Sequence, residues 1–226
     1  LEHRIKDWYD GYIEEGKMDF YLMADSHLKH EKMKTYCQRP SNFTELEKHK
    51  NCMNTLRDDT TLIHMGDVGI AKPEDWLWMV KMWPGRKILI RGNHDRAKSN
   101  SWWMDQGGFD FACDGLKFRN CWITREPSTS LADGCELNLH GHLHNIWDGF
   151  VAENQKEFIC TCSSIPHLLG RDEHERECPI NIKVKPTKLK KPWQRLFALE
   201  YTNYMPVEFQ KFISHPDRYQ SRGPKP

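Results

Sequence analysis

In Asp19-Phe20-Tyr21-Leu22-Met23-Ala24 a compact apolar run breaks off at Asp25-Ser26-His27, the pattern of a buried strand that stops at a polar loop. The same grammar recurs along the chain. Thr61-Leu62-Ile63-His64-Met65 runs into Gly66-Asp67, and Lys87-Ile88-Leu89-Ile90-Arg91 into Gly92-Asn93-His94-Asp95. Cys121-Trp122-Ile123 runs into Thr124-Arg125-Glu126-Pro127, and Glu136-Leu137-Asn138-Leu139 into His140-Gly141-His142-Leu143-His144. Strands are therefore predicted at each of these runs, every one ending in residues able to ligate. Helices are predicted between them, over 43–57 and 73–83. In the second, Pro73 suits the first turn, while Trp76, Met79, Val80 and Trp83 fall at i, i+3, i+4 and i+7, a core-packing face rather than a platform for stacking bases. Strands alternating with helices define an α/β fold, a sandwich with helices flanking the sheets, whose ligands gather outside the carboxyl ends of the strands.

The 226 residues, 38% hydrophobic and 12% aromatic, suit one domain over 1–226 and exclude disorder. That domain carries an elaborated loop region at about 145–194 and a polar tail at about 214–226, and residues 3–16 read as a short helix or lead-in. A last strand is expected over Arg195–Tyr201. Lys and Arg number 33 against 32 Asp and Glu, a net charge of +1, so no global field recruits nucleic acid or an anionic membrane. The chain contains no apolar run approaching the roughly 18 residues of a spanning helix, and its first residues are charged, which reads as soluble. Eight cysteines without a C-x-x-C pair point to a reducing, cytoplasmic setting.

A two-metal hydrolytic site needs carboxylates and imidazoles from several strand ends, one bridging ligand, and neutral oxygen donors that leave positions open. Asp25 and His27 lie two apart and can reach one ion from a single strand exit. Asp67, after Gly66, is a carboxylate that could bridge; Asn93 offers a neutral oxygen; His142 and His144 alternate and would point to one side if extended. Turn propensity explains Asp, Asn and Gly at strand exits but not histidines at three of them.

At these residues the chain resembles the calcineurin-like metallophosphoesterase family, whose motifs run D-x-H, G-D, G-N-H-D or G-N-H-E, a lone His, and G-H-x-H. The likeness covers Asp19 to His144, with the closing strand also fitting, and is nearest to small stand-alone members, many of them phage-encoded. In those members a His and an Arg-Pro follow the first motif, here His30 and Arg39-Pro40. The resemblance implies Asp25, His27, Asp67 and His144 around a first metal, and Asp67, Asn93 and His142 around a second. It implies His94 as a catalytic group facing the scissile phosphate, attacked by a metal-bound hydroxide. It also makes Arg125, His30 and Arg39 candidate contacts to the substrate phosphate. Mixed oxygen and nitrogen donors favour Mn²⁺, with Zn²⁺, Fe²⁺ or Ni²⁺ as alternatives, one or two ions per chain.

One position departs from the pattern. Where the family places a His ligand of the second metal, this chain has Arg125, which cannot lose its proton and cannot bind a cation. The second site is then weak, rebuilt with His140 or Glu126, or replaced by a guanidinium that clamps phosphate. Of these, His140 reads more simply as a core residue. Cys160, Cys162, His167, His174 and Cys178 fit no standard structural zinc spacing. The lysines from Lys183 to Lys191 and Arg195 read as a solvated loop, with a nucleic-acid backbone as the alternative partner.

The expected function is metal-dependent hydrolysis of a phosphate mono- or diester, the substrate including nucleotides or nucleic acid as options. The alternative is a weakened or silent scaffold, or a nucleic-acid-binding protein, because of Arg125. The serine/threonine phosphatase branch, which follows G-D with Asp-Arg-Gly, is disfavoured by Val68-Gly69-Ile70-Ala71.

Overall fold

The computed structural model describes residues 19–33, 37, 39, 44–70, 72–144, 191, 193–215 and 219. The lead-in at 3–16, nearly all of the loop region at 145–194, the Cys160 to Cys178 group, the lysines from Lys183 to Lys190 and most of the tail lie outside the described residues.

The predicted strands form and divide between two sheets, as the expected sandwich requires. β1 (Phe20–Met23), β2 (Thr61–His64), β3 (Arg86–Ile90) and β4 (Phe111–Cys113) run parallel in the order β4-β3-β2-β1. β9 (Val207–Glu208) closes that sheet antiparallel to β1. The second sheet runs β5 (Gly115–Phe118), β6 (Cys121–Thr124), β7 (Leu137–His140) and β8 (Gln194–Leu196), parallel from β6 to β8. β2 is buried at all its residues, which is why it reads as a continuous apolar run rather than an alternating one. One apolar cluster joins the sheets: Leu22, Met23, Ile63 and Leu89 from the first meet Ile123 and Leu139 from the second. Phe20 packs on Phe118 with ring centroids 4.5 Å apart, across the seam.

The first helix, α1 (Glu45–Thr55), starts at a capping box: Glu47 N–H donates to the Thr44 hydroxyl and Thr44 N–H to the Glu47 carboxylate. The helix predicted over 73–83 is broken. A 3₁₀ turn, Pro73–Asp75, ends at Trp76, whose φ of −139° leaves the helical region, and α2 (Leu77–Met82) begins after it. The predicted apolar face survives the break, with Trp76, Met79, Val80 and Trp83 all buried. The helix α3 (Asn100–Asp105), capped by Ser99, and a C-terminal helix, α4 (Phe209–Ser214), complete the described elements.

The closing strand is shorter than predicted. β8 stops at Leu196, and Leu199–Tyr201 forms a 3₁₀ turn in which the Thr202 hydroxyl donates to the Leu199 carbonyl. That turn brings Glu200 inward to Arg39, a contact across 161 positions of sequence that local pattern does not encode. Among the described residues, no helix is long and apolar enough to cross a membrane.

Candidate metal centre at the strand exits

Parallel pairing places the carboxyl ends of β1, β2 and β3 side by side, with Met23 opposite His64 and His64 opposite Leu89. Beyond the strands the exits stay zipped, as Asp25 N–H donates to the Gly66 carbonyl at 2.9 Å and His27 N–H to the Asp67 carbonyl at 3.0 Å. The exit loops are sharply bent. Asp25, His27, Asp67, His142 and His144 all have positive φ, between 44° and 71°. Left-handed backbone is uncommon for residues other than glycine, and its concentration on proposed ligands marks strain that the surrounding contacts must hold. It also corrects the extended geometry expected for His142 and His144.

Asp25, His27 and His144 bring one ligand atom each within 4.8 Å of one another, and His27, Asp67 and His94 do the same. Asp25 Oδ1 lies 3.2 Å from His144 Nε2 and 3.6 Å from His27 Nε2, and Asp67 Oδ2 lies 3.7 Å from His27 Nε2. Four of the six proposed ligands therefore gather at His27, with Asp25 and His144 in one group and Asp67 in the other. His142 sits at the edge of this cluster, its N–H donating to Asp25 Oδ2 at 3.0 Å. Asn93 is exposed. His94, partly exposed, places Nε2 3.9 Å from Asp67 Oδ2 and its ring 5.4 Å from that of His27. The His30 ring stands 5.5 Å from that of His27, edge on, so it borders the same cluster.

The electrostatics suit a cation. Burial would raise the Asp25 carboxyl, but Arg125 and then His144 hold it well below the ordinary carboxylate value. Burial first, helped by the His144 and Arg39 charges and against the pull of Asp25, drives the His27 imidazole well down, so it is neutral, the form that ligates metals. Both of its ring nitrogens are buried and neither has a hydrogen-bond partner. An imidazole buried without a partner on either nitrogen is costly unless something else binds it. These residues fit a divalent ion at the Asp25, His27, Asp67 and His144 position.

Arg125 is the other occupant of this centre. Its side chain is 2% exposed, with Nη1 2.6 Å from Asp25 Oδ1 and Nη2 paired with Asp67 Oδ2. His140 is fully buried and burial lowers its pKa to about 4, which suits a neutral core residue.

Arg39 lies behind the centre. It is buried, pairs with Glu200 at 3.0 Å, and donates to the backbone carbonyls of Asp25 and Ser26 at 2.7 and 3.1 Å. Three groups that sequence reading did not single out complete the support. Glu200 lies against His144, Cys37 stands within 4.8 Å of both, and Asp95 accepts from the N–H groups of Asp67, Val68 and Gly92. Asp95 was visible as the last letter of Gly92-Asn93-His94-Asp95, whereas nothing local marked Glu200. Gly92 itself is required, since a Cβ there would collide with the Asp67 carboxylate.

An α/β sandwich with acidic and imidazole ligands at its strand exits is the architecture of a metal-dependent phosphoesterase. Residues 18–195 match the calcineurin-like phosphoesterases, and the chain belongs to that family. It is similar to the uncharacterized protein MJ1445 of Methanocaldococcus jannaschii, 31% identical over 132 residues, which cover 55% of this chain and 68% of that protein. Its fold is similar to that of AQ665, a protein of unknown function from Aquifex aeolicus. That likeness has a TM-score of 0.55 at 19% identity and covers 87% of this chain and 98% of the other.

Proposed function

We propose that this protein hydrolyses phosphate mono- or diesters with a divalent metal, Mn²⁺ foremost, held by Asp25, His27, Asp67 and His144. The observation that carries the reading is the convergence of those four side chains with His94 on their exposed side. The ion would supply Lewis acidity, acidifying a water and offsetting phosphate charge. The chain supplies the rest. Asp95 fixes the backbone of Asp67 and Gly92, and thereby the carboxylate and the loop that presents His94. His94, on the open side, is placed to donate a proton to a leaving oxygen or to offset charge on the phosphoryl group. The substrate would be a nucleotide, a nucleic acid or another phosphate ester met in the cytoplasm.

The test uses the chelator-stripped protein, assayed with a bis-aryl phosphate diester and an aryl monophosphate before and after Mn²⁺ is restored. Turnover should vanish on stripping and return with Mn²⁺. Full turnover in protein shown to be metal-free would sink the reading, and bound metal without turnover of any phosphate ester would leave a silent scaffold in its place.

A further inference from the structure

The donors proposed for a second metal do not fit one as the first set does. Asn93 is exposed, and the family's remaining His position holds Arg125. The guanidinium lies within the cage rather than beside it. Nη1 contacts Asp25 Oδ1 at 2.6 Å and reaches the Met65 carbonyl at 3.4 Å, while Nη2 contacts Asp67 Oδ2 and stands 3.3 Å from His142 Nδ1. A guanidinium only donates, so His142 Nδ1 accepts, and the lone pair that faces the cage is already engaged.

The surrounding chain is shaped to receive this group. A Cβ at Gly141 would lie 2.6 Å from Asp25 Oδ2 and 2.9 Å from Arg125 Nη1, so only glycine leaves room for the pair at that turn. Arg125 Nη1 and Nη2 are committed to carboxylates and a backbone carbonyl and Nε is buried, in a side chain 2% exposed, which does not suit a clamp that reaches out to substrate phosphate. Charge argues the same way. With the ligating imidazoles in the neutral form that metal binding requires, the Asp25 and Asp67 carboxylates bring two negative charges to the cage and Arg125 cancels one. A single divalent ion then leaves one positive charge in excess, well matched to a phosphate ester, whereas a second ion would leave three in a buried cage.

We infer that Arg125 is a built-in replacement for the second metal ion, so that this phosphoesterase centre takes one divalent cation per chain. The inference rests on the proposed metal-dependent reading. Arg125 Nη2 takes the place between Asp67 and His142 that a second ion would need, while Nη1 ties the group to Asp25, and the guanidinium excludes that ion by occupancy and by repulsion.

The experiment is a Mn²⁺ titration of the stripped, unaltered chain, read by metal analysis after dialysis and by electron paramagnetic resonance. One ion per chain with the spectrum of an isolated Mn²⁺ is expected, any second ion binding at least about 10²-fold more weakly. Arg125→His supplies a neutral donor and should take up a second ion and give an exchange-coupled spectrum. Arg125→Met removes the charge without a donor and should gain less. Two tightly held, coupled ions in the unaltered chain would overturn the inference while leaving the phosphoesterase reading intact. A folded Arg125→His protein that still holds one ion would overturn the role given to Arg125. No Mn²⁺ bound by the unaltered chain would overturn both readings. Should the variants melt at room temperature, the stoichiometry and spectrum of the unaltered chain decide the matter alone.

Discussion

His144 Nδ1 lies 3.3 Å from Glu200 Oε1, while its opposite nitrogen, Nε2, lies 3.2 Å from Asp25 Oδ1. A carboxylate on one ring nitrogen fixes the tautomer that leaves the other free for a metal, and it raises the basicity of the ring. Burial alone would raise the Glu200 carboxyl, but Arg39 and then His144 bring it down to about 2, so it is ionised and able to perform this role. Glu200→Gln keeps the shape and loses the charge. It should weaken Mn²⁺ binding about 10- to 100-fold, measured by calorimetric titration. Unchanged affinity in the folded variant would reduce Glu200 to a packing role.

Arg39 links this carboxylate to the first strand exit, through Glu200 on one side and the Asp25 and Ser26 carbonyls on the other. Its side chain is 2% exposed, so it holds the loop from behind rather than meeting substrate. Removing one partner of a buried ion pair leaves the other charge stranded. Arg39→Met should therefore cost about 3–5 kcal/mol of stability in urea unfolding, and the Arg39→Met, Glu200→Gln double variant should lose less than the sum of the two. Full additivity would show that the pair is not coupled.

A third prediction concerns acid. The Ser26 hydroxyl donates its one proton to the Val68 carbonyl at 2.8 Å, so it accepts from His64 Nε2 at 2.9 Å, and His64 is the neutral tautomer protonated on Nε2. Its Nδ1 is buried without a partner, and burial drives the imidazole down to about 3. Between pH 3 and the ordinary value of 6.5 the unfolded chain takes up a proton that the folded chain refuses. Stability contributed by neutral His64 is therefore complete above 6.5 and falls as pH drops through that window. The limiting slope for one group is about 1.4 kcal/mol per pH unit. His64→Gln can still donate to Ser26 and cannot titrate, so the pH dependence of its urea midpoint should be shallower by up to that amount. An unchanged slope would mean that His64 protonates without opening the fold.

The strand exits were legible in the sequence because a parallel sheet buried on both faces needs uninterrupted apolar runs, and Leu62, Ile63, Leu89 and Ile90 supply them. The motif order then placed Asp25, His27, Asp67 and His144 at one end of the molecule. What sequence did not disclose was contact at long range. Nothing near Glu200 marks it as a partner of His144, 56 positions away. The short strands β4, β5 and β9 also escaped, since Phe111–Cys113, Gly115–Phe118 and Val207–Glu208 are too brief to show a period and owe their form to neighbouring strands. Which strands join which of the two sheets belongs to the same class of fact. It depends on which strands pair, and all of these strand exits share one local pattern. Arg125 was legible as a departure from the family motif, but the position of its guanidinium between two carboxylates was not.

His94 differs from the buried Asp25, His27, Asp67 and His144 in being substantially exposed, with 42% of its side chain open to solvent. Its own N–H donates to Asp67 Oδ1 at 3.0 Å, and Asp95, one residue on, anchors the loop through the Gly92 N–H at 2.7 Å. The imidazole is thus presented on a loop tied to the Asp67 carboxylate, with Nε2 3.9 Å from Asp67 Oδ2, beyond hydrogen-bond distance. That geometry suits a group that meets the phosphate from the open side, but His27, Asp67 and His94 also stand close enough together to share an ion. The two roles separate by measurement. As a proton donor, His94 contributes to the rate alone, and His94→Ala should lower kcat by roughly 10²- to 10⁴-fold with Mn²⁺ content and affinity unchanged. The loss should be smaller for an aryl ester whose leaving group needs no proton than for an alkyl ester, because only the latter depends on the acid. A variant that loses Mn²⁺ in step with activity, and loses equally on both esters, would make His94 a ligand of the metal and leave the leaving oxygen to be protonated by solvent.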